Sequence, residues 1–277
     1  MGQSVSDCVT QLARRNLWIR RYDETMRLAG KKTLVTGAAS GIGKAVVAAF
    51  LQEGAEVIGA DKDFPVAGSA IGGGGSSICL DVTKENDWER LFQQISNLDV
   101  LVACAGISEA KPIPETSLAD WRRVMGVNLD GAFLSVKYGV KAMQANRGGA
   151  IVLVSSASGI KASAGASAYC ASKAGLRMLA KTAALEFKSQ AIRVNCVSPG
   201  GVVTPMWKKM PFWQALVEEH GSEEGAWDAL GGADPVRPSL QRMAFPEEVA
   251  AAIVFLGCDE SAHITGTDLV VDGGYSL

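Results

Sequence analysis

Tyr169 and Lys173 stand four positions apart in the stretch SAYCASK, residues 167–173. In a helix this spacing puts both side chains on one face, one turn apart. A phenol has a reference pKa of about 10, too high for a good base near neutral pH. An ammonium one turn away favours the phenolate, so the pair can exchange a proton with a hydroxyl. The same spacing also describes an ordinary helix surface pair. Its meaning rests on what the rest of the chain brings beside it.

A second constellation is TGAASGIGKA, residues 36–45. It lies between the apolar run TLVTG and an amphipathic stretch from Ile42 to Glu53. Glycines at 37, 41 and 43 leave the backbone bare, so the turn can approach a diphosphate closely. The following helix offers the anion its N-terminal amides and its dipole. Gly37, Ser40, Gly41, Ile42 and Gly43 are therefore candidate cofactor contacts. The turn is not a P-loop. Ile42 stands where that motif needs glycine, and Ala45 where a hydroxyl would hold magnesium. Its G-x-x-x-G-x-G spacing also differs from the commoner G-x-G-x-x-G fingerprint. Asp61 ends the second apolar run, eighteen residues beyond Gly43. A carboxylate there accepts the ribose hydroxyls of an adenosine and repels a 2'-phosphate, which favours NAD over NADP. Ser40 carries no charge for such a phosphate, whereas Lys62 leans toward one.

These residues need a scaffold, and the chain supplies one in alternation. TLVTG, AEVIGAD, SSICLDV, LDVLVACAG, GAIVLVSS, AIRVNCVSPG and TDLVVDGG read as strands. Helical stretches run from Leu118 to about Ala145 and from Ser167 to Lys188. Such alternation predicts an α/β fold in one domain: a Rossmann-type, doubly wound parallel sheet of about seven strands with helices on both faces. VAGSAIGGGGSS, residues 66–77, breaks the pattern. Its four consecutive glycines each cost a helix about 1 kcal/mol against alanine, so a shortened helix or open loop is expected.

The bulk properties exclude several classes. The chain has 277 residues, 48% hydrophobic and 20% charged, with a formal net charge of −2. This balance gives no reason to expect a nucleic-acid partner. No apolar run approaches the roughly eighteen residues of a membrane span. The cysteines Cys8, Cys79, Cys104, Cys170, Cys196 and Cys258 form no C-x-x-C pair. They read as reduced thiols of a cytoplasmic protein. His220 and His263 are the only histidines, which weakens any zinc site or Ser-His-Asp triad. No metal is expected. Residues 1–29 form an arm with five arginines and no lysine. Its opening MGQSVS fits a myristoylation pattern, although Met26 is an alternative start.

The ordered set TGAASGIG, LDV (80–82), ACAG (103–106), VNL (127–129), SS (155–156), YCASK (169–173) and SPGGVVT (198–204) resembles the short-chain dehydrogenase/reductase family in its compact form. The likeness runs from about Leu28 to Leu277. It implies that Asp81 and Val82 flank the adenine and that Ala105 and Gly106 lie against the cofactor. It makes Asn128, Ser156, Tyr169 and Lys173 a catalytic tetrad, with Tyr169 and Lys173 also bordering the cofactor. Pro199, Gly200, Val202 and Thr204 would border the nicotinamide. The implied activity is NAD-dependent interconversion of a secondary alcohol and a ketone. One departure stands out. The family usually reads N-N-A-G where this chain has Ala103 and Cys104. Loss of an interstrand hydrogen bond is expected there, at a cost of about 1 kcal/mol.

The segment from Thr204 to about residue 240 reads as a substrate lid. Met206, Trp207, Met210, Phe212, Trp213 and Trp227 either line an apolar pocket for a bulky or cyclic alcohol or pack the lid on the body. Lys208, Lys209 and Arg237 keep an anionic substrate open. The rival readings are a non-catalytic redox sensor, an NADP-dependent carbonyl reductase and an enoyl reductase, the last disfavoured by the Y-x-x-x-K spacing. A hydrolase would need a G-x-S-x-G elbow, which is missing from the sequence. The resemblance also implies a homotetramer, with a dimer as fallback.

Overall fold

The computed structural model describes residues 26–65, 69–71, 74–145, 148–231, 240 and 242–277. The arginine-rich arm up to residue 25, its myristoylation-like motif, and Arg237 lie outside the described residues.

The apolar runs become strands β1 (Lys32–Thr36), β2 (Glu56–Asp61), β4 (Gly75–Cys79), β5 (Val100–Ala103), β6 (Gly149–Val154), β7 (Ile192–Pro199) and β8 (Asp268–Val271). All of these pair in parallel. With the two-residue β3 (Ala70–Ile71), they form one sheet in the order β3-β4-β2-β1-β5-β6-β7-β8. Both faces are covered, so successive strand residues enter different cores. Leu34, Leu101, Ile151 and Leu153 face one core. Val35, Val102, Val152 and Val154 face the other. Helices α1 (Gly41–Gln52) and α9 (Pro246–Gly257) cover the second face. Helices α2 (Glu85–Phe92), α4 (Gly131–Ala145) and α5 (Ser167–Phe187) cover the first.

Two local features differ from the sequence reading. Among its described residues the glycine-rich stretch forms a strand pair, β3 folding back antiparallel on β4, where a shortened helix or open loop was expected. Ser69 and Ser77 tie this hairpin through N–H to Oγ and Oγ–H to O=C bonds, each of 2.9 Å. Gly74, at φ +95°, adopts a backbone that L side chains rarely reach. The long helix from Leu118 is also interrupted. Helix α3 (Leu118–Met125) passes into a π-turn over Gly126–Asp130 before α4 begins.

The strand order explains the site's position. Connections from β1 run outward to β2 on one side, and the chain then returns to β5 on the other. A crevice opens beyond the carboxyl ends of the strands at such a switch point. Gly37, Asp61, Gly106, Ser156 and Gly200 all follow or end strands at that edge. Among the described residues, no helix is long and apolar enough to cross a membrane.

Candidate active site

Helix α5 presents Tyr169 and Lys173 to the cleft. Lys173 is 4% exposed, and its Nζ donates to the carbonyl of Val154 at 2.8 Å. That ammonium lies 5.6 Å from the centroid of the Tyr169 ring. Burial pulls the Lys173 pKa down to about 8. Burial pushes the Tyr169 phenol up, while its hydrogen bond with Ser156 pulls it partly back. Ser156 follows β6, and its Oγ accepts from the Ser158 amide at 3.1 Å. Helix α5 and the turn after β6 are stitched together. Ser155 Oγ donates to the Lys173 carbonyl at 2.7 Å. Arg177 donates to the Gly159 carbonyl at 2.9 Å and to Asp268 at 2.5 Å, and Asp268 in turn accepts from Ser198 Oγ at 2.6 Å.

Asn128 sits in the π-turn, 1% exposed. Its Oδ1 accepts from the Ile107 amide at 2.8 Å, and its Nδ2 donates to the Ile107 carbonyl and to Ser172 Oγ, each at 3.0 Å. The carboxamide thereby clamps the loop after β5 onto α5. A Cβ on Gly106 would stand 3.4 Å from both Asn128 Oδ1 and Lys173 Nζ, which brings those groups to one spot.

The glycine turn is as close-packed as the sequence suggests. A Cβ on Gly43 would stand 2.1 Å from the Gly37 carbonyl oxygen, and one on Gly37 2.8 Å from Ala105 Cα. Ser40 caps α1 without a side-chain hydrogen bond, so its hydroxyl satisfies none of the first-turn amides of the helix. Ser40, Gly41 and Ile42 line the cleft, and these open donors at the start of a twelve-residue helix fit a diphosphate. Asp61 Oδ2 accepts from the Ala39 amide at 3.0 Å, and Oδ1 from the Asp63 amide at 3.1 Å. Each carboxylate oxygen keeps a further lone pair for a hydroxyl. Asp81 caps its own turn, accepting from Thr83 Oγ1 at 2.7 Å, and Val82 is buried.

At the Ala103–Cys104 departure the tie to the neighbouring strand runs through backbone amides. Thr36 Oγ1 accepts from the amides of Cys104 and Ala105 at 3.1 and 3.2 Å, tying β1 to the end of β5. Among the described residues no buried side-chain nitrogen or oxygen lacks a partner. The Cys104 thiol lines the cleft, and burial pushes its pKa up to about 12.

The cleft encloses about 1420 Å³. Gly106, Ser156, Tyr169 and Lys173 line it, as do Pro199, Gly200, Val202 and Thr204 at the end of β7. Gly37, Gly43, Asp61, Asp81, Val82, Ala105 and Asn128 do not line it; the glycines, Thr36 contacts and Asn128 shape its wall from behind. The segment expected to form a lid contains, among its described residues, α6 (Pro205–Lys208), α7 (Trp213–His220) and α8 (Glu223–Gly231). Its apolar groups divide between the cleft and the packing of the segment itself. Met206, Trp207, Met210 and Phe212 face the cleft. Trp213 and Trp227 pack on each other, 4.4 Å between centroids, and take no part in lining it. Lys208 is paired with Glu223 at 2.5 Å, whereas Lys209 borders the cleft.

Sequence reasoning missed a polar part of the cleft lining, formed by Glu109, Lys111 and Arg123. For Glu109 and Lys111 the available signal was their place in the loop after β5, at the crevice edge; Arg123, on α3, offered none.

A doubly wound parallel sheet with a bare phosphate turn at its switch point defines a dinucleotide-binding α/β protein. Residues 37–276 match the family model described as "Enoyl-(Acyl carrier protein) reductase". The chain is 39% identical to the 3-oxoacyl-(acyl-carrier-protein) reductase of Thermotoga maritima over 90% of this chain and 99% of that protein. It is 38% identical to the mitochondrial borneol dehydrogenase of Lavandula x intermedia, covering 91% and 92%. The ligand-free aldohexose dehydrogenase of Thermoplasma acidophilum superimposes with a TM-score of 0.80 at 34% identity, covering 91% and 96%. The chain belongs to the short-chain dehydrogenase/reductase family, a family of nicotinamide-dependent oxidoreductases.

Proposed function

We propose that this protein is an NAD(H)-dependent dehydrogenase that interconverts a secondary alcohol, carried on an apolar or cyclic body, and its ketone. The observation that carries the reading is the meeting of Ser156, Tyr169 and Lys173 in the same cleft as the open amides of the glycine turn. The bound nicotinamide supplies the hydride acceptor in oxidation and the donor in reduction. Tyr169, as phenolate, takes the hydroxyl proton of the alcohol, and in the reverse direction returns it to the carbonyl oxygen. Lys173 favours the phenolate by its charge, and Ser156 donates to the reacting oxygen, steadying charge that develops there. Asn128 acts through its clamp on the loop at Ile107 and on α5. Asp61 holds the adenosine ribose. Asp81 and Val82 flank the adenine, and Pro199, Gly200, Val202 and Thr204 border the nicotinamide.

The borneol dehydrogenase relative supports a cyclic substrate, and the four apolar lid residues offer it a surface. A second reading, NADP-dependent carbonyl reduction, is favoured by the Thermotoga relative. Steady-state turnover of cyclohexanol with NAD and with NADP, repeated on Tyr169→Phe, tests both. The proposal expects NAD-dependent oxidation that falls at least about a thousandfold in the variant. NADP-only turnover supports the second reading, and cofactor binding without turnover would leave a redox sensor.

We also propose a homotetramer acting in the cytoplasm. Phe133 on α4, Met178 and Leu185 on α5, and Leu277 at the end of the chain are 51%, 62%, 67% and 91% exposed. The described cysteines are all unpaired. A monomeric mass by light scattering would remove the assembly.

A further inference from the structure

The cleft has two unlike walls. One is largely apolar, with Met206, Trp207 and Phe212, and Lys209 at its border. The other is polar and carries Glu109, Lys111 and Arg123, which the reaction above does not use. We infer that this wall is a binding site for a second, uncharged hydroxyl on the substrate, so that the preferred substrates are cyclic diols or polyols rather than simple cyclic alcohols. The inference rests on the alcohol dehydrogenase reading.

The geometry carries it in three steps. The loop bearing Glu109 is fixed at both ends. Ile107 is held by the Asn128 carboxamide, and the Lys111 amide donates to the Gly165 carbonyl at 2.7 Å, four residues before Tyr169. The wall therefore sits beside the start of the helix that carries the proton-transfer pair. Second, the Glu109 carboxylate is oriented in advance. Lys111 Nζ binds Oε1 at 2.8 Å, and Arg123 binds Oε2. Each oxygen retains a lone pair, and the Glu109 side chain is 18% exposed, at the cleft. Either acceptor site can take the one hydroxyl that the reaction leaves unchanged.

Third, the charges balance. Lys111 also binds Asp120 at 3.0 Å, and Arg123 approaches it at 3.7 Å. Two cations face two carboxylates, so a carboxylate or phosphate on the substrate would meet repulsion from Glu109 and Asp120 along with any attraction. A neutral hydroxyl meets acceptors on Glu109 and donors on Lys111 and Arg123, whose side chains are 41% and 51% exposed. A ring with one apolar face and hydroxyls at its edge can lie against the lid residues and reach this wall. Its second hydroxyl is bound and unchanged in the reaction.

The test is kcat/KM with NAD for cyclohexanol and for cis- and trans-1,2-cyclohexanediol, in wild type, Glu109→Ala and Glu109→Gln. One diol isomer is expected to exceed cyclohexanol by at least about tenfold in wild type. That ratio is expected to fall about tenfold in Glu109→Ala and less in Glu109→Gln, which keeps one acceptor. If Glu109→Ala does not fold, as read by circular dichroism, the Glu109→Gln ratio decides alone. Wild-type turnover of cyclohexanol without a diol advantage overturns the inference and leaves the dehydrogenase standing. An equal loss on both substrates, with the ratio unchanged, also overturns it. Turnover of none of these alcohols overturns the dehydrogenase reading and the inference with it.

Discussion

Replacing Asp61 with asparagine probes cofactor choice where the accounting is closest. A carboxylate has about four lone-pair sites. The amides of Ala39 and Asp63 each take one, at 3.0 and 3.1 Å, leaving one per oxygen for the two ribose hydroxyls. Asparagine keeps one acceptor oxygen for Ala39 but turns an N–H donor toward the Asp63 amide. One hydroxyl bond is lost, and the other falls from charged to neutral strength. With charged bonds contributing about 1.5–3 kcal/mol and neutral ones about 1, the net loss for NADH is about 2–5 kcal/mol, at the least roughly thirtyfold in Kd. The same change removes the repulsion toward a 2'-phosphate, so NADPH binds more tightly and the preference moves by about a hundredfold or more. Titration of wild type and Asp61→Asn with each reduced nucleotide, following energy transfer from tryptophan, reads both constants. Trp207 at the cleft is a natural donor. A variant that keeps the wild-type preference, or a wild type that prefers NADPH, refutes the reasoning.

Three further outcomes follow from the same geometry. Lys173 has its pKa lowered from 10.5 to about 8, so between those values the unfolded chain holds a proton that the folded one has released, and stability rises with pH across that window. Relative to Lys173→Met, the wild type should gain up to about 3 kcal/mol from pH 8 to 10.5 in paired denaturation curves; a flat difference would count against the burial account. Gly43→Ala forces a methyl to within 2.1 Å of the Gly37 carbonyl unless the turn opens, so melting should fall by an amount equivalent to about 1–3 kcal/mol and nucleotide binding should weaken with it. Asp268→Asn weakens the bond to Arg177 while keeping the side chain's volume; a loss of about 2 kcal/mol in urea unfolding is expected, and no change would mean that the Arg177–Gly159 bond holds the turn unaided.

The sequence exposed the sheet well because a parallel sheet buried on both faces writes short apolar runs bounded by turn residues. Leu34 and Val35 go to opposite cores, and no alternation is needed to see the strand. The ends of those runs carry Asp61, Ser156 and Pro199, and the last two line the crevice at the carboxyl ends of the strands. Other features were not legible. The β3–β4 hairpin depends on serine-to-backbone bonds between residues eight apart, in a stretch whose glycines permit many conformations. The tie from Thr36 to the end of β5 was hidden because Thr36, whose hydroxyl takes the amides of Cys104 and Ala105, lies nearly seventy positions earlier and reads as a strand residue. The split among the lid tryptophans depends on packing between α7 and α8, which periodicity in such short helices does not resolve. Glu109 was overlooked because a charged residue in a loop normally signals solvent, and only the partners Lys111 and Arg123 make it a fixed group.

The bond from Lys173 Nζ to the Val154 carbonyl has a consequence for the timing of entropy loss. A free lysine side chain gives up about 2 kcal/mol of rotamer freedom when it is immobilised. Here the sheet imposes that loss once, as the chain folds, and no binding event has to repeat it. A nucleotide arriving at the cleft meets an ammonium already in place, so its affinity is not reduced by ordering that side chain. The lifetime of the empty protein carries the burden instead. By mass action, any ligand that binds the folded form alone restores stability in proportion to the logarithm of its concentration. The protein's persistence would then track the size of the nucleotide pool as well as its own sequence.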